Sequence, residues 1–207
     1  MARPGLRIVL ARHGRPDWNN KVPIRGVELA DHIRSRDHAP IDPSFPPSDQ
    51  LRELARTSEV IVASTLRRSY ESAELLAPDA PLTVDAMFRE VFTPTAFKSA
   101  VRLPAKAWGL IARVRWLGGW SPGVESYPEA KLRAHRAANT LEMLSEQRGH
   151  VLLEAHGIMN GLIAGWLRRK GWKGPFFRGR RYWSYMVYER DAPRLAMTAS
   201  PAAERPR

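Results

Sequence analysis

Arg12, His13 and Gly14 follow directly on the apolar, β-prone run at 6–11, so a guanidinium, an imidazole and a residue without a side chain stand together where a strand should end. A second apolar run, HVLLEA at 150–155, closes in the same way on His156 and Gly157. A third, EVIVAS at 59–64, ends in Ser64 and passes into STLRRSYESA, which places Arg67 and Arg68 in the first turn of the next helix. Cations at a helix N-terminus oppose its dipole and repel one another. An anion with several acceptor oxygens removes both penalties, and phosphate suits the arginine fork best. Each signal alone has an ordinary reading, as a satisfied core histidine or a solvated helix turn. Their weight comes from falling at equivalent places, three strand ends that each lead toward a helix.

Those places must be brought together by the rest of the chain. The spacing predicts a short helix over 27–37, then a loop through the proline-dense APIDPSFPPSD at 39–49. Ser48 caps a helix to about residue 57, and a further helix runs from about 65 to 77, with Leu66, Tyr70, Ala73 and Ala77 on one stripe. PLTVD at 81–85 reads as a weaker strand. Ser126 with Glu129 forms a capping-box pattern that opens a helix to about 148, and another helix follows His156. YWSYMVYE at 182–189 alternates as a last strand. Strands alternating with helices predict an α/β fold, a three-layer α/β/α sandwich with a mostly parallel central sheet. In such sheets ligands bind beyond the carboxyl ends of the strands.

On these residues the chain resembles the histidine phosphatase superfamily, the phosphoglycerate mutase-like fold. RHGRPDWNN is similar to that family's first signature, with Trp18 and Asn19 as its Trp-Asn pair; STLRRSYESA matches a segment that singles out Arg68 over Arg67. MFREVF resembles the stretch bearing the family's acid, at Glu90; GVESYPEAKLRA resembles a Gly-Glu-Ser helix opening at Glu125 and Ser126, and LLEAHGIMNGLI carries the second histidine. The resemblance implies that His13 attacks phosphorus and forms a phosphohistidine, its other ring nitrogen keeping a proton through a hydrogen bond. It implies that Arg12, Arg68 and His156 grip the phosphoryl oxygens, with Asn19 as a further donor and Gly157 letting the backbone approach. It assigns Glu90 the proton of the departing alkoxide, and then that of the attacking water. No metal ion or other cofactor is expected. Arg15 and Pro16 depart from the family pattern. Arg15 and Arg25 have two readings, extra positive charge at the mouth that favours a multiply anionic substrate, or plain solvated arginines.

The expected organisation is one domain over 1–190, with a lid insertion at about 91–122 and a disordered tail over 191–207. The tryptophan-rich LPAKAWGLIARVRWLGGW at 103–120 reads as a packed core or cap helix, with a membrane-surface helix as the alternative. Globular composition, 43% hydrophobic and 26% charged, fits a 207-residue chain with one sizeable core. The absence of cysteine excludes disulfides and thiol chemistry. The first apolar run is too short for a secretory signal and no stretch approaches the roughly 18 apolar residues of a membrane span, so a cytoplasmic protein without a membrane partner is expected. The net charge of +12 is mostly scattered arginine, densest at 168–170 and 178–181, with no basic tail or heptad, so no specific nucleic-acid partner is expected. No oligomeric state follows from these patterns. Three functions follow in order: a metal-independent phosphatase acting on a small phosphorylated substrate, a phosphoglycerate-type mutase, and a non-catalytic phospho-ligand or nucleic-acid binder. His13, His156 and Glu90 argue against the last, which would not need them.

Overall fold

Strands β1 (Leu6–Arg12), β3 (Val60–Ala63) and β6 (His150–Ala155) are the most apolar stretches of the chain and lie side by side in its centre. The computed structural model describes residues 5–176 and 181–191. With β4 (Leu82–Val84) and β7 (Tyr185–Arg190) they form a five-stranded sheet of order β4-β3-β6-β1-β7. The first four strands are parallel and β7 pairs antiparallel to β1 at the edge. Because the three central strands are covered on both faces, their inner residues are mostly apolar on both sides rather than alternating, with Glu154 of β6 the buried exception.

Helices α5 (Tyr127–Arg148) and α6 (Gly157–Arg169) cover one face. Ala134, Ala137, Ala138 and Leu141 of α5 and Met159, Ile163 and Leu167 of α6 pack there on Ile8, Leu10, Val62 and Leu153. Helices α2 (Asp49–Arg56) and α3 (Arg67–Leu76) cover the other, where Leu51, Ala55, Ala73 and Leu76 meet Val9, Ala11, Ile61 and Leu152. This is the expected three-layer α/β/α architecture. The capping box forms as the sequence predicts: the Ser126 backbone N–H donates to Glu129 at 2.6 Å, and the Glu129 N–H donates back to Ser126 Oγ at 3.4 Å.

Several boundaries differ. Helix α3 starts at Arg67, with Leu66 in extended conformation before it. Helix α1 (Leu29–His38) is preceded by a 3-10 turn at Gly26–Glu28. The last strand begins at Tyr185 because Trp183 has a left-handed backbone, φ 58, which breaks the alternating run. That strained conformation is held by the Trp183 N–H to the Arg12 carbonyl at 3.0 Å and by the indole Nε1–H to the Phe45 carbonyl at 2.6 Å. Two short strands escape the sequence pattern, β2 (Pro23–Arg25) and β5 (Arg102–Pro104), which pair antiparallel with each other. β5 leads into α4 (Ala105–Leu117), the tryptophan-rich segment. It packs as a core helix should: Trp116 is fully buried, and Trp108 is buried with its indole N–H donating to the Ile24 carbonyl at 3.0 Å. Leu110, Val114 and Leu117 face outward. Apart from Asp191, the expected tail lies outside the described residues, as do three residues of the 178–181 cluster. Among the described residues no helix is long and apolar enough to cross a membrane.

Candidate active site

Strand register determines which side chains meet. Arg12 lies beside Ala155 across β1–β6, and Ala63 lies beside Glu154 across β3–β6. The next residue of each strand, His13, His156 and Ser64, therefore emerges at one edge of the sheet. The two imidazole rings stand 5.0 Å apart, centre to centre. Asn160 of α6 fixes the end of β1 by donating its amide to the Ala11 carbonyl at 2.8 Å.

His13 is 5% exposed, and its tautomer is set by its contacts. Nδ1 lies 2.7 Å from the Gly14 carbonyl oxygen, which can only accept, so Nδ1 carries the proton. Nε2 then holds a lone pair and accepts from the Nε–H of Arg68 at 3.2 Å. Burial, then the Arg68 guanidinium, push the His13 pKa well below its usual 6.5, against the opposing pull of the Gly14 bond; Arg12 and Arg36 lower it further. A neutral imidazole with an unprotonated nitrogen among cations is the form a nucleophile requires. Arg68, 2% exposed, is fixed from its other side by Asp37, 2.9 Å from Nη1.

His156 is fully buried, and burial first, then the neighbouring His13 and the Arg68 guanidinium, lower its pKa well below 6.5. Ser64 Oγ receives the Leu66 backbone N–H at 3.3 Å and lies 2.6 Å from His156 Nε2. With the hydroxyl donating to Nε2, Nδ1 is the protonated nitrogen, and Nδ1 is buried without a hydrogen-bond partner among the described residues. It is an N–H donor awaiting an acceptor.

Glu90 accepts backbone N–H groups from Val91 at 3.0 Å, Met159 at 3.1 Å and Ile158 at 3.3 Å, so it sits over the first turn of α6. Its segment is fixed by Arg133 of α5, which donates to the carbonyls of Met87 at 2.8 Å and Arg89 at 2.7 Å while also paired with Glu125. Glu90 lines a crevice of about 450 Å³ together with Arg12, Gly157, Trp18, His32, Arg36, Lys106 and Arg113. That volume suits a small molecule. A wider depression of about 690 Å³, bounded by Phe92, Val124 and Leu132, lies elsewhere and holds none of these groups.

Three sequence expectations are corrected. Asn19 is exposed and its side-chain oxygen accepts the Lys21 N–H at 2.9 Å; its neighbour Asn20 lines the crevice instead. Arg15 is paired with Asp42 and lies over the Phe45 ring at 4.1 Å. Arg25 is paired with Glu28 at 2.6 Å. Neither arginine lines the crevice, and each charge is already balanced. The sequence reading missed Asp37, Arg36, His32, Lys106 and Arg113. Only their helical spacing, 32 with 36 and 106 with 113, could have pointed to them.

A model of the histidine phosphatase superfamily (branch 1) matches residues 48–199, more than half of the chain. The chain belongs to that superfamily. No curated protein matches it in sequence. Among solved structures it is similar to a mycobacterial glucosyl-3-phosphoglycerate phosphatase (20% identity, 90% of this chain and 91% of that one, TM-score 0.57). It is also similar to Bacillus stearothermophilus YhfR (16% identity, 87% and 89%, TM-score 0.57) and to a phosphoserine phosphatase of Entamoeba histolytica (16% identity, 87% and 89%, TM-score 0.54). At these identities the likeness establishes the fold.

Proposed function

We propose that the chain is a phosphomonoesterase that works through a phosphohistidine on His13. The observation that carries this reading is the pair of contacts on the His13 ring, Nδ1–H to the Gly14 carbonyl and Nε2 toward Arg68. The Nε2 lone pair attacks phosphorus and the ester P–O bond breaks, its electrons leaving with the alkoxide, which takes a proton from Glu90. Water then attacks the phosphohistidine and gives its proton to Glu90, and the P–N electrons return to Nε2. Arg12, Arg68 and the Nδ1–H of His156 hold the equatorial oxygens, where transition-state charge develops. These donors supply the positive charge that a metal ion supplies elsewhere. The first-turn N–H of Gly157 adds a backbone donor. Segment 91–122, carrying α4, serves as the lid and contributes the crevice wall that selects the leaving group. The names of the structural neighbours, two of them phosphatases of small phosphorylated molecules, support this reading.

Brief incubation with a labelled phosphate ester, then denaturation, tests it. Acid-labile, base-stable phosphate is expected on the wild type and none on His13→Ala. Release of phosphate without a bisphosphate primer separates the hydrolase from a mutase.

A further inference from the structure

We propose that the substrate carries a second anionic group, a carboxylate or a further phosphate, held between α1 and α4 by Arg36, Lys106 and Arg113. This rests on the phosphatase reading only for the position of the first phosphate, beside His13. Two helices wall the crevice with matching stripes. Leu29, His32, Ile33 and Arg36 follow the i, i+3, i+4, i+7 spacing along α1, and Lys106, Gly109, Leu110 and Arg113 follow it along α4. Such a stripe normally packs a core or meets solvent; here each ends in an arginine facing a common cleft.

The polar atoms in that cleft are incompletely satisfied. Arg113 donates through Nη2 to Thr93 Oγ1 at 3.3 Å, but its Nη1 is buried without an acceptor. His32 stacks on Trp18 with ring centres 4.0 Å apart, and its Nε2 is buried without a partner. Lys106 has no carboxylate partner among the described residues, and Arg36 shares Asp37 with Arg68. Buried donors of a cation lose their hydration without return unless an acceptor arrives.

Charge points the same way. Among the described residues the only carboxylate ion-paired with Arg36, Arg68, Lys106 or Arg113 is Asp37, which Arg36 and Arg68 share. Burial lowers the pKa of His13, His156 and His32, which favours the neutral form of each imidazole. A bound phosphomonoester brings about two negative charges. It engages Arg12 and Arg68 and leaves Lys106 and Arg113 of α4 with no carboxylate ion-paired to them among the described residues. Space is available as well: a Cβ built on Gly109, at the middle of the α4 stripe, meets nothing within 4 Å.

Matched non-hydrolysable phosphonates test the proposal by calorimetry. The probes are an alkylphosphonate, the same chain ending in a carboxylate, and the same chain ending in a second phosphonate, each with spacers of increasing length. At its best spacer a two-ended probe is expected to bind the wild type about tenfold or more tighter than the one-ended probe, the scale of a charge-assisted hydrogen bond. Which terminus gains more identifies the second anion. Lys106→Ala, at an exposed position where folding is safe, and Arg113→Gln are each expected to lower that ratio toward one. Equal binding of one-ended and two-ended probes by the wild type, or a preference that survives both substitutions, overturns the proposal. A preserved two-ended preference without phosphoenzyme on His13 would remove the phosphatase reading and leave the second-anion site standing.

Discussion

The Nε of Arg68 lies 3.2 Å from Nε2 of His13, and the opposite side of that imidazole is tied by Nδ1 to the Gly14 carbonyl at 2.7 Å. A single arginine thus contacts directly the nitrogen to which the proposed reaction assigns the attack, and Asp37 holds it there. Arg68→Ala is expected to lower kcat by about 10² to 10³, the usual cost of one oxyanion donor. Arg68→Lys should recover little, because an ammonium is a point charge without the planar fork. Initial rates of phosphate release from a generic aryl phosphate measure both.

In the proposed reaction Ser64 acts through His156, which it contacts at Nε2. Its hydroxyl fixes the Nδ1–H tautomer, so Ser64→Ala removes the constraint that points a donor at the phosphoryl group. The expected loss in kcat is about a hundredfold, the scale of one misplaced donor. Ring ¹⁵N shifts of His156 should move from one dominant tautomer to a mixture. A merely structural serine would leave those shifts alone.

Gly14 is required by a close approach. A Cβ there would lie 2.8 Å from Cε2 of Trp183, with Cζ2 closer still, and the Gly14 N–H must reach Ser72 Oγ at 2.9 Å. Gly14→Ala should destabilise the protein by about 1–3 kcal/mol through overpacking. Adding Trp183→Leu should return part of that loss, with a coupling of about 0.5–3 kcal/mol between the two sites. Urea unfolding of the four proteins gives the cycle.

Glu154 is fully buried in β6, and neither carboxyl oxygen has a partner. Burial pushes its pKa well above the usual 4.5. Above pH 4.5 the unfolded chain gives up a proton that the folded chain keeps, so this group favours folding at low pH and its contribution falls as pH rises toward its folded pKa. His13 and His156 act with the opposite sign: their lowered pKa values give a contribution present above 6.5 and lost as pH falls toward their folded values. Glu154→Gln should therefore gain stability over the wild type as pH rises from 4.5, by about 1.4 kcal/mol per pH unit until Glu154 ionises. Denaturant midpoints across pH 4.5–8 read the difference; parallel curves would show that the carboxyl does not stay protonated.

The strand ends, the capping box at Ser126 and the apolar stripes of α2, α3 and α5 were legible in the chain because they are local. A cap needs residues three apart, and a buried strand needs only a short apolar run. The β2–β5 pair was not legible, since three-residue strands far apart in sequence leave no periodic signal. The start of the last strand differs from the sequence pattern because that pattern continues through Trp183, whose left-handed backbone is held by contacts with Arg12 and Phe45.

For the site, the sequence by itself determined that histidines and arginines stand at strand ends, because a strand's length and the glycine after it are written in consecutive residues. Tertiary structure alone decided which cations are available. Arg15 and Arg25 looked free and are neutralised by Asp42 and Glu28, whereas Arg36, Lys106 and Arg113 looked like ordinary helix residues and line the cleft. Charge acts through space, so its balance at a crevice depends on the packing of α1 against α4 and on the strand order that seats His13 beside His156.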